Sequence, residues 1–204
     1  MRKNTYPGKF IVFEGLDGSG QSTQASLLRD YLIGLGKEVV LTKEPTKDSE
    51  PAKQIRKALD ENIVIEPFEL QKLFCLDRKE HLENLIEPAL KGGKIVISDR
   101  YFFSTLAFGS SDKISLESLI ELNKDFLIPD LTILLKVSPE VCVDRIEKRG
   151  EGVKLFEKRD KLAKVWETFR ILPDRFENVY MVDGEKSVEE VFSQVESIIN
   201  KEVL

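Results

Sequence analysis

The sequence predicts an α/β fold, a five-stranded parallel sheet with helices on both faces. Short apolar runs rich in β-branched and aromatic residues alternate with longer helical segments, which is the order of elements in parallel sheets. The runs are apolar at nearly every position, as expected of strands covered on both sides. No repeat, low-complexity tract or linker divides the 204 residues, so residues 1–204 are predicted to form a single domain.

The strands and helices can be placed in order. A first helix is predicted where Ala25, Leu28, Leu32 and Leu35 recur at helical spacing before a stop signal at Gly36. The predicted strands, all short apolar runs, are residues 9–14, 38–42, 94–98, 131–137 and 179–182. The remaining predicted helices cover residues 51–59, 67–90 and 139–148, a segment that ends near residue 173, and residues 188–199.

Composition argues against several classes of function. The net charge of −5 disfavours a protein that binds nucleic acid through its overall field. Cys75 and Cys142 lie far apart in apolar segments and show neither a disulfide framework nor a zinc spacing. The N-terminus has no apolar signal segment, and no apolar run approaches the ~20 residues of a membrane span. We therefore expect a cytoplasmic protein without a membrane or nucleic-acid partner.

A glycine-rich segment between the first strand and the first helix is the clearest motif. Residues 15–22 read GLDGSGQS and match the phosphate loop G-x-x-x-x-G-K-[ST] at Gly15, Gly20 and Ser22. The backbone N–H groups of such a loop and the helix N-terminus bind phosphate oxygens. The motif predicts a fold of the P-loop NTPase type, with Ser22 on Mg²⁺. The predicted ATP-binding residues here are Gly15, Leu16, Asp17, Gly18, Ser19, Gly20, Gln21, Ser22 and Thr23.

Position 21 departs from the motif, because a glutamine stands where the lysine is expected. Glutamine donates hydrogen bonds but brings no charge. A charge-assisted hydrogen bond contributes ~1.5–3 kcal/mol, against ~1 kcal/mol for a neutral one. If that difference fell on the transition state, the rate would drop roughly 10- to 100-fold. Gln21 therefore leaves two alternatives open, a working nucleotide-dependent enzyme and a nucleotide-binding protein with impaired catalysis.

Further segments complete a resemblance to a known family. The loop reads FEGLDGSG-x-STQ, and it is followed in order by the pair Glu44-Pro45, by LFCLDR at 73–78, by DRY at 99–101, by PDLT at 129–132 and by RIEKRG at 145–150. Together these segments resemble the motifs of thymidylate kinases over nearly the whole chain, although that family usually has arginine where Lys43 stands. The resemblance implies transfer of a phosphoryl group from ATP to thymidine monophosphate, with Mg²⁺.

The resemblance also implies the substrate-binding residues. Phe74 and Arg78 lie four positions apart, so they share one face of a helix. In the family these positions hold thymine: the aromatic residue stacks on the base, and the arginine donates a hydrogen bond to a carbonyl of the base. Helical spacing alone leaves an alternative, in which Phe74 is a core residue and Arg78 a surface charge. Phe108 falls where an aromatic residue crowds the 2′ carbon, which implies a deoxyribonucleotide. The other implied substrate contacts are Glu44, Arg100, Ser104 and Thr105.

Asp99 and Arg100 follow the third strand directly, at the edge of the sheet where ligands bind. The resemblance assigns Arg100 to the acceptor phosphate, Asp99 to magnesium, and Asp17 to orienting that phosphate or its magnesium. A structural ion pair between Asp99 and Arg100 is the alternative. Gln21 and Arg149 complete the predicted catalytic group, and Lys43 and Arg56 could add charge near the same phosphate.

The charged stretch 148–160 is the predicted lid. A charge run is often only a solvated face. The resemblance, however, implies a loop that closes over ATP and supplies an arginine, because position 18 is glycine. Arg149 is the predicted lid arginine, and Arg159 is the alternative. A lid cation could also compensate for Gln21, and Arg145 is expected to stack on adenine. The other cations of the stretch are Lys148, Lys154, Lys158 and Arg159.

Three predictions remain. His81, the only histidine, is interpreted as a helix-surface or base-adjacent residue. The family resemblance implies a homodimer, whose interface the sequence does not locate. Another pyrimidine deoxynucleotide, such as deoxyuridine monophosphate, or a deoxynucleoside remains the alternative acceptor.

Overall fold

The computed structural model describes residues 1–60, 65–150 and 155–204. It contains one sheet of five strands in the order β2-β3-β1-β4-β5, and each neighbouring pair is parallel. The predicted α/β fold with a five-stranded parallel sheet is therefore confirmed. The strands are β1 (Lys9–Gly15), β2 (Val39–Lys43), β3 (Ile95–Asp99), β4 (Leu131–Lys136) and β5 (Val179–Asp183).

Helices cover both faces of the sheet. They are α1 (Gln21–Gly34), α2 (Glu50–Asp60), α3 (Pro67–His81), α4 (Glu87–Lys91), α5 (Phe102–Ser111), α6 (Leu116–Leu122), α7 (Pro139–Lys148), α8 (Leu155–Phe169) and α9 (Val188–Glu202), with a π-helical turn at Leu82–Ile86 and a 3₁₀ turn at Leu172–Asp174. None of the helices in the described part of the chain is long and apolar enough to cross a membrane.

The central strand explains why the apolar runs do not alternate in polarity. Phe10 and Val12 pack into a core with α5 and α8, whereas Ile11 and Phe13 pack into a second core with α1 and α9. Successive side chains of a strand point to opposite faces, so a strand between two helical layers must be apolar at every position. All four of these residues are completely buried.

Two helical regions differ from the prediction. The predicted helix at 67–90 is divided by the π-helical turn Leu82–Ile86, and Pro88 lies in the short helix that follows. Helices α5 and α6 were missed altogether. Most residues of α5 are buried, so it shows no periodic change from apolar to polar that could reveal a helix.

Within the predicted lid, α8 begins at Leu155, and residues 151–154 lie outside the described residues.

The sheet brings the predicted motifs to one edge. Strands β1, β2 and β3 are neighbours, and their carboxyl ends lead to the phosphate loop, to Glu44 and to Arg100. Lys43 and Asp99 are paired in register at the ends of β2 and β3. Ligands of open α/β sheets bind beyond the carboxyl ends of the strands, so this edge is the expected position of the site.

Candidate active site

A cleft of about 580 Å³ lies at the carboxyl edge of the sheet. This volume is within the range of roughly 300–1,000 Å³ that is usual for small-molecule sites. The phosphate loop lines one end, and side chains of α3 and α5 line the other; they include Phe74, Arg78, Thr105 and Phe108. The segments predicted to hold ATP and the nucleobase therefore share one cavity.

The phosphate loop has the backbone that its glycines permit. Gly18 and Gly20 have φ values of 85° and 101°, in the left-handed region that side chains disfavour. A Cβ atom on Gly18 would also lie 2.6 Å from the carbonyl oxygen of Cys142. Helix α1 begins immediately afterwards at Gln21, so its N-terminus and the loop form one anion-binding surface.

Ser22 and Asp99, the two predicted metal ligands, are in contact. The Ser22 hydroxyl donates a hydrogen bond to Oδ2 of Asp99, and Nζ of Lys43 lies 2.8 Å from the same oxygen. The other carboxylate oxygen, Oδ1, is buried and has no hydrogen-bond partner among the described residues. A hydroxyl beside a carboxylate with an unused oxygen suits Mg²⁺, which prefers hard oxygen ligands. Lys43 places positive charge at the same position.

Arg100 occupies the middle of the cleft. Its guanidinium donates to Asp17 at 2.8 Å, to the Gln21 side-chain oxygen at 3.1 Å and to Ser104 at 2.8 Å. It also lies over the ring of Phe108, with Cζ 5.5 Å from the ring centroid. The carboxylate paired with Arg100 is thus Asp17, whereas Asp99 is paired with Lys43. The alternative of an Asp99–Arg100 ion pair is therefore wrong.

Glu14 is a residue of the site that sequence analysis missed. It is completely buried at the end of β1, where it accepts hydrogen bonds from the backbone N–H of Tyr101 at 2.9 Å and from the Ser104 hydroxyl at 2.6 Å. Burial raises the pKa of Glu14 to about 7, against the opposing attraction of Arg100. An acidic residue that ends an otherwise apolar strand was the signal that could have revealed it.

The raised pKa of Glu14 predicts a pH dependence of stability. Because the pKa of about 7 in the folded protein exceeds the ordinary glutamate pKa of 4.5, the stability that Glu14 contributes is complete below pH 4.5 and is lost as the pH rises through 7. The loss should be on the order of 3 kcal/mol. Glu14→Gln mimics the protonated form and should remove this slope, measured by urea unfolding from pH 5 to pH 8.

Glu189→Gln is the control for this experiment, since Glu189 is exposed on α9. It should leave the slope of the wild-type protein unchanged. Parallel pH profiles for the wild type and Glu14→Gln would contradict the assignment of the slope to Glu14.

Arg78 lies in a buried polar network rather than on the surface. Its guanidinium contacts Glu44 at 2.8 Å, Asn123 at 2.7 Å and Thr105 at 3.1 Å, and the side chain is only 2% exposed. It also lies over the ring of Tyr101. The alternative of a surface arginine is therefore wrong. Phe74 is half-buried and lines the cleft.

His81 belongs to the same network, so the surface interpretation of this residue is also wrong. It is 5% exposed, and its two ring nitrogens lie 2.7 Å from the Thr42 hydroxyl and 3.2 Å from Glu44. Glu44 thus bridges Arg78 and His81. Sequence spacing did not reveal these contacts, because Thr42 and Glu44 come from a different element, 37 or more positions away.

Other polar side chains fix the segments around the cleft. Asp77 is buried and accepts hydrogen bonds from the backbone of Thr46 and from the Ser49 hydroxyl, which attaches the turn after β2 to α3. Arg56, suggested for the phosphate, donates to the carbonyl oxygens of Thr46 and Lys47 in that turn.

The cations near the predicted lid have different surroundings. Arg149 is exposed and lines the cleft. Arg145 donates to the carbonyl oxygens of Ser19 at 3.3 Å and Gly184 at 3.0 Å, beside the phosphate loop. Arg159, on α8, is paired with Glu140 of α7. Lys154 and the side chain of Lys158 lie outside the described residues.

Comparison with known proteins decides the family. The family model described as thymidylate kinase matches residues 13–195. The chain belongs to the thymidylate kinase family. It is 39% identical to a probable thymidylate kinase of Pyrococcus horikoshii over 97% of this chain and 98% of that protein. It is 38% identical to the thymidylate kinase of Caldicellulosiruptor saccharolyticus, over 95% of this chain and 96% of the relative.

A third relative, the thymidylate kinase of Leptospira interrogans, is 38% identical over 91% of this chain and 90% of its own length. The family model thus covers the chain from the end of β1 and the phosphate loop to α9, including the segment predicted to be a lid. The predicted family and the predicted enzyme class, an ATP-dependent kinase, are both confirmed.

Proposed function

We propose that this member of the thymidylate kinase family transfers the γ-phosphoryl group of ATP to thymidine monophosphate in the cleft, giving thymidine diphosphate and ADP for deoxynucleotide synthesis. The observation that supports this site is the single cavity that joins the phosphate loop to Phe74 and Arg78. The reaction requires the γ-phosphate of ATP and the phosphate of the acceptor to lie in line. The cleft has an anion-binding surface for the first at one end, and Arg100 lies beside it for the second.

The phosphate end carries the charge for catalysis. The loop and the N-terminus of α1 would bind the phosphates of ATP, and Arg145, which lies beside the loop, would stack on the adenine ring. Mg²⁺ held by Ser22 and Asp99 would neutralise phosphate charge. Arg100 binds the acceptor phosphate, and Asp17, which accepts a hydrogen bond from Arg100 at 2.8 Å, orients it. Phosphoryl transfer depends on positioning and charge neutralisation, which is the chemistry that these side chains provide.

The nucleobase end supplies shape and fixed polarity. Phe74 offers a ring face on which a pyrimidine stacks, and Arg78 offers guanidinium N–H groups to a base carbonyl. Ser104 and Thr105 add polar contacts, and Phe108 limits the space for a 2′ hydroxyl. Glu44 acts through Arg78, because its carboxylate lies 2.8 Å from that guanidinium.

ADP formation with ATP, Mg²⁺ and a panel of acceptors tests the proposed function. We expect the highest kcat/KM with thymidine monophosphate, a lower value with deoxyuridine monophosphate, and little turnover with uridine monophosphate or thymidine. A hydrophobic pocket discriminates one methyl group by only about 10- to 200-fold, so deoxyuridine monophosphate is the informative competitor. A higher kcat/KM with any other acceptor would contradict the proposed substrate.

The lid arginine can be identified by a matched pair of variants. Arg149→Met should lower kcat about 100-fold, because Arg149 lines the cleft and can reach the transferring phosphoryl group. Arg159→Met should change kcat less than about threefold, because Arg159 is half exposed and paired with Glu140. Steady-state assays at saturating ATP provide the measurement. Equal losses in the two variants would contradict a specific role for Arg149.

We further propose a cytoplasmic homodimer. The family resemblance implies this state, and Leu76 and Leu85, which are 51% and 39% exposed on α3 and the π-helical turn, are apolar side chains that association could cover. Light scattering of the purified protein would give the oligomeric state, and a monomer at micromolar concentration would contradict this assignment.

A further inference from the structure

The side chain of Gln21 has a specific arrangement at the position where the phosphate-loop motif has lysine. It is 6% exposed at the first position of α1. Its Nε2 donates to the carbonyl oxygen of Gly15 at 3.2 Å, and its Oε1 accepts from Nη2 of Arg100 at 3.1 Å. The donor faces a carbonyl and the acceptor faces a guanidinium, so both ends of the amide are correctly paired.

Lysine could not make the second of these contacts. An ammonium group has three donors and no acceptor, and it would place a second positive charge beside the Arg100 guanidinium. Arg100 also donates through Nη1 to the Gly15 carbonyl oxygen at 3.3 Å, so Gln21 and Arg100 share that carbonyl. Arg100 thus already places a positive charge against the phosphate loop, and the side chain of Gln21 contacts both the loop and Arg100.

We propose that Gln21 is a positioning residue that fixes Arg100 against the phosphate loop, and that Arg100 supplies there the positive charge absent from position 21. This inference rests on the proposed role of Arg100 at the acceptor phosphate. It predicts that the glutamine is functional because its side-chain oxygen accepts a hydrogen bond from Arg100, and that it is not merely a lysine position that has lost its charge. The effect of Gln21 on the reaction is then exerted through Arg100.

Equilibrium binding separates a positioning role from direct contact with ATP. Gln21→Met keeps the length of the side chain and removes both hydrogen bonds. We expect it to weaken thymidine monophosphate binding about 10- to 100-fold, the range for one charge-assisted hydrogen bond. Binding of ADP with Mg²⁺ should change less than about threefold, because the variant keeps the backbone N–H groups of the loop and loses only side-chain hydrogen bonds made to Gly15 and Arg100. Titration calorimetry measures both affinities without requiring turnover.

Gln24→Met is the matched control. Gln24 lies one turn further along α1, is 2% exposed and donates to the carbonyl oxygen of Val188 at 3.0 Å, so it tests the loss of a buried glutamine at a distance from Arg100. Its substitution should leave the affinity for thymidine monophosphate unchanged. Should Gln21→Met fail to fold, Gln21→Ser serves in the same comparison, since it also removes both contacts.

A double-mutant cycle with Arg100→Lys gives the decisive readout. If Gln21 acts through Arg100, Gln21→Met should have almost no further effect on thymidine monophosphate binding in the Arg100→Lys background. Gln21→Lys should likewise lower kcat/KM for thymidine monophosphate about tenfold or more. A full effect of Gln21→Met in both backgrounds, a preferential loss of ADP binding, or a gain in kcat from Gln21→Lys would each overturn the inference.

The proposed function can fail independently. A wild-type protein that shows this coupling in binding but forms no ADP would refute the reaction and leave the positioning role intact. A protein that turns over thymidine monophosphate but shows no coupling between Gln21 and Arg100 would refute the positioning role and leave the reaction intact.

Discussion

Asp99→Asn is expected to lower kcat by at least about 100-fold, because it replaces the negatively charged carboxylate beside Ser22 with a neutral amide. Asparagine has nearly the same shape as aspartate, so the polypeptide should fold. Asp99 is also paired with Lys43 at 2.8 Å, and the substitution would leave that ammonium group without its carboxylate. The measurement is kcat at saturating ATP and thymidine monophosphate over a range of Mg²⁺ concentrations.

Two results would separate this effect from a general loss of structure. The apparent affinity for Mg²⁺ should fall in Asp99→Asn, and the unfolding midpoint should change little. Asp30→Asn is the control, because Asp30 is exposed on α1 and is paired with its neighbour Arg29. A kcat within about threefold of the wild-type value at high Mg²⁺ would show that Asp99 is dispensable for charge neutralisation.

Arg78→Met should produce the largest loss of stability, about 3–5 kcal/mol in the free energy of unfolding. Glu44 is 3% exposed, and removal of Arg78 would leave its carboxylate buried without the guanidinium that lies 2.8 Å away. The variant would also lose the donor expected to read the base carbonyl, so thymidine monophosphate binding should fall with it. Urea unfolding and titration calorimetry measure the two effects separately.

A second substitution distinguishes the buried charge from the lost packing. In Glu44→Gln/Arg78→Met both charges are gone, so most of the lost stability should return, while nucleotide binding should stay weak. Arg170→Met, at an exposed site on the surface, should change stability by less than about 0.5 kcal/mol. If the double variant were no more stable than Arg78→Met, the loss would have to come from packing.

Sequence analysis located most of the fold because the relevant signals were local. Each strand is a contiguous apolar run, and the phosphate loop is a contiguous motif between a strand and a helix. Helix α5 lacks such a signal, because six of its ten residues are buried and its sequence contains adjacent aromatic residues and a glycine. The π-helical turn after α3 likewise depends on how that segment packs, which the spacing of apolar residues does not encode.

The chemistry of the site was harder to predict because its contacts join distant segments. The residue types at Asp17, Ser22, Asp99 and Arg100 predicted a phosphate site, but the contacts that each side chain makes could be read only from the folded chain. Gln21 meets Arg100 across 79 positions in the sequence. In the sequence alone, Gln21 shows only that the positive charge of the motif lysine is missing. In the folded protein, its side-chain oxygen accepts a hydrogen bond from Arg100.

The backbone of Arg100 has a consequence for the evolution of the protein. Arg100 has a φ of 75°, a left-handed conformation that costs a side-chain-bearing residue roughly 1–2 kcal/mol. The N–H of Arg100 donates to the carbonyl oxygen of Phe13, and the N–H of Tyr101 donates to the Glu14 carboxylate, so the end of β1 holds the chain in this conformation. Glycine would relieve the cost but remove the guanidinium. Selection for thermal stability alone and selection for catalysis would therefore favour different residues at this position.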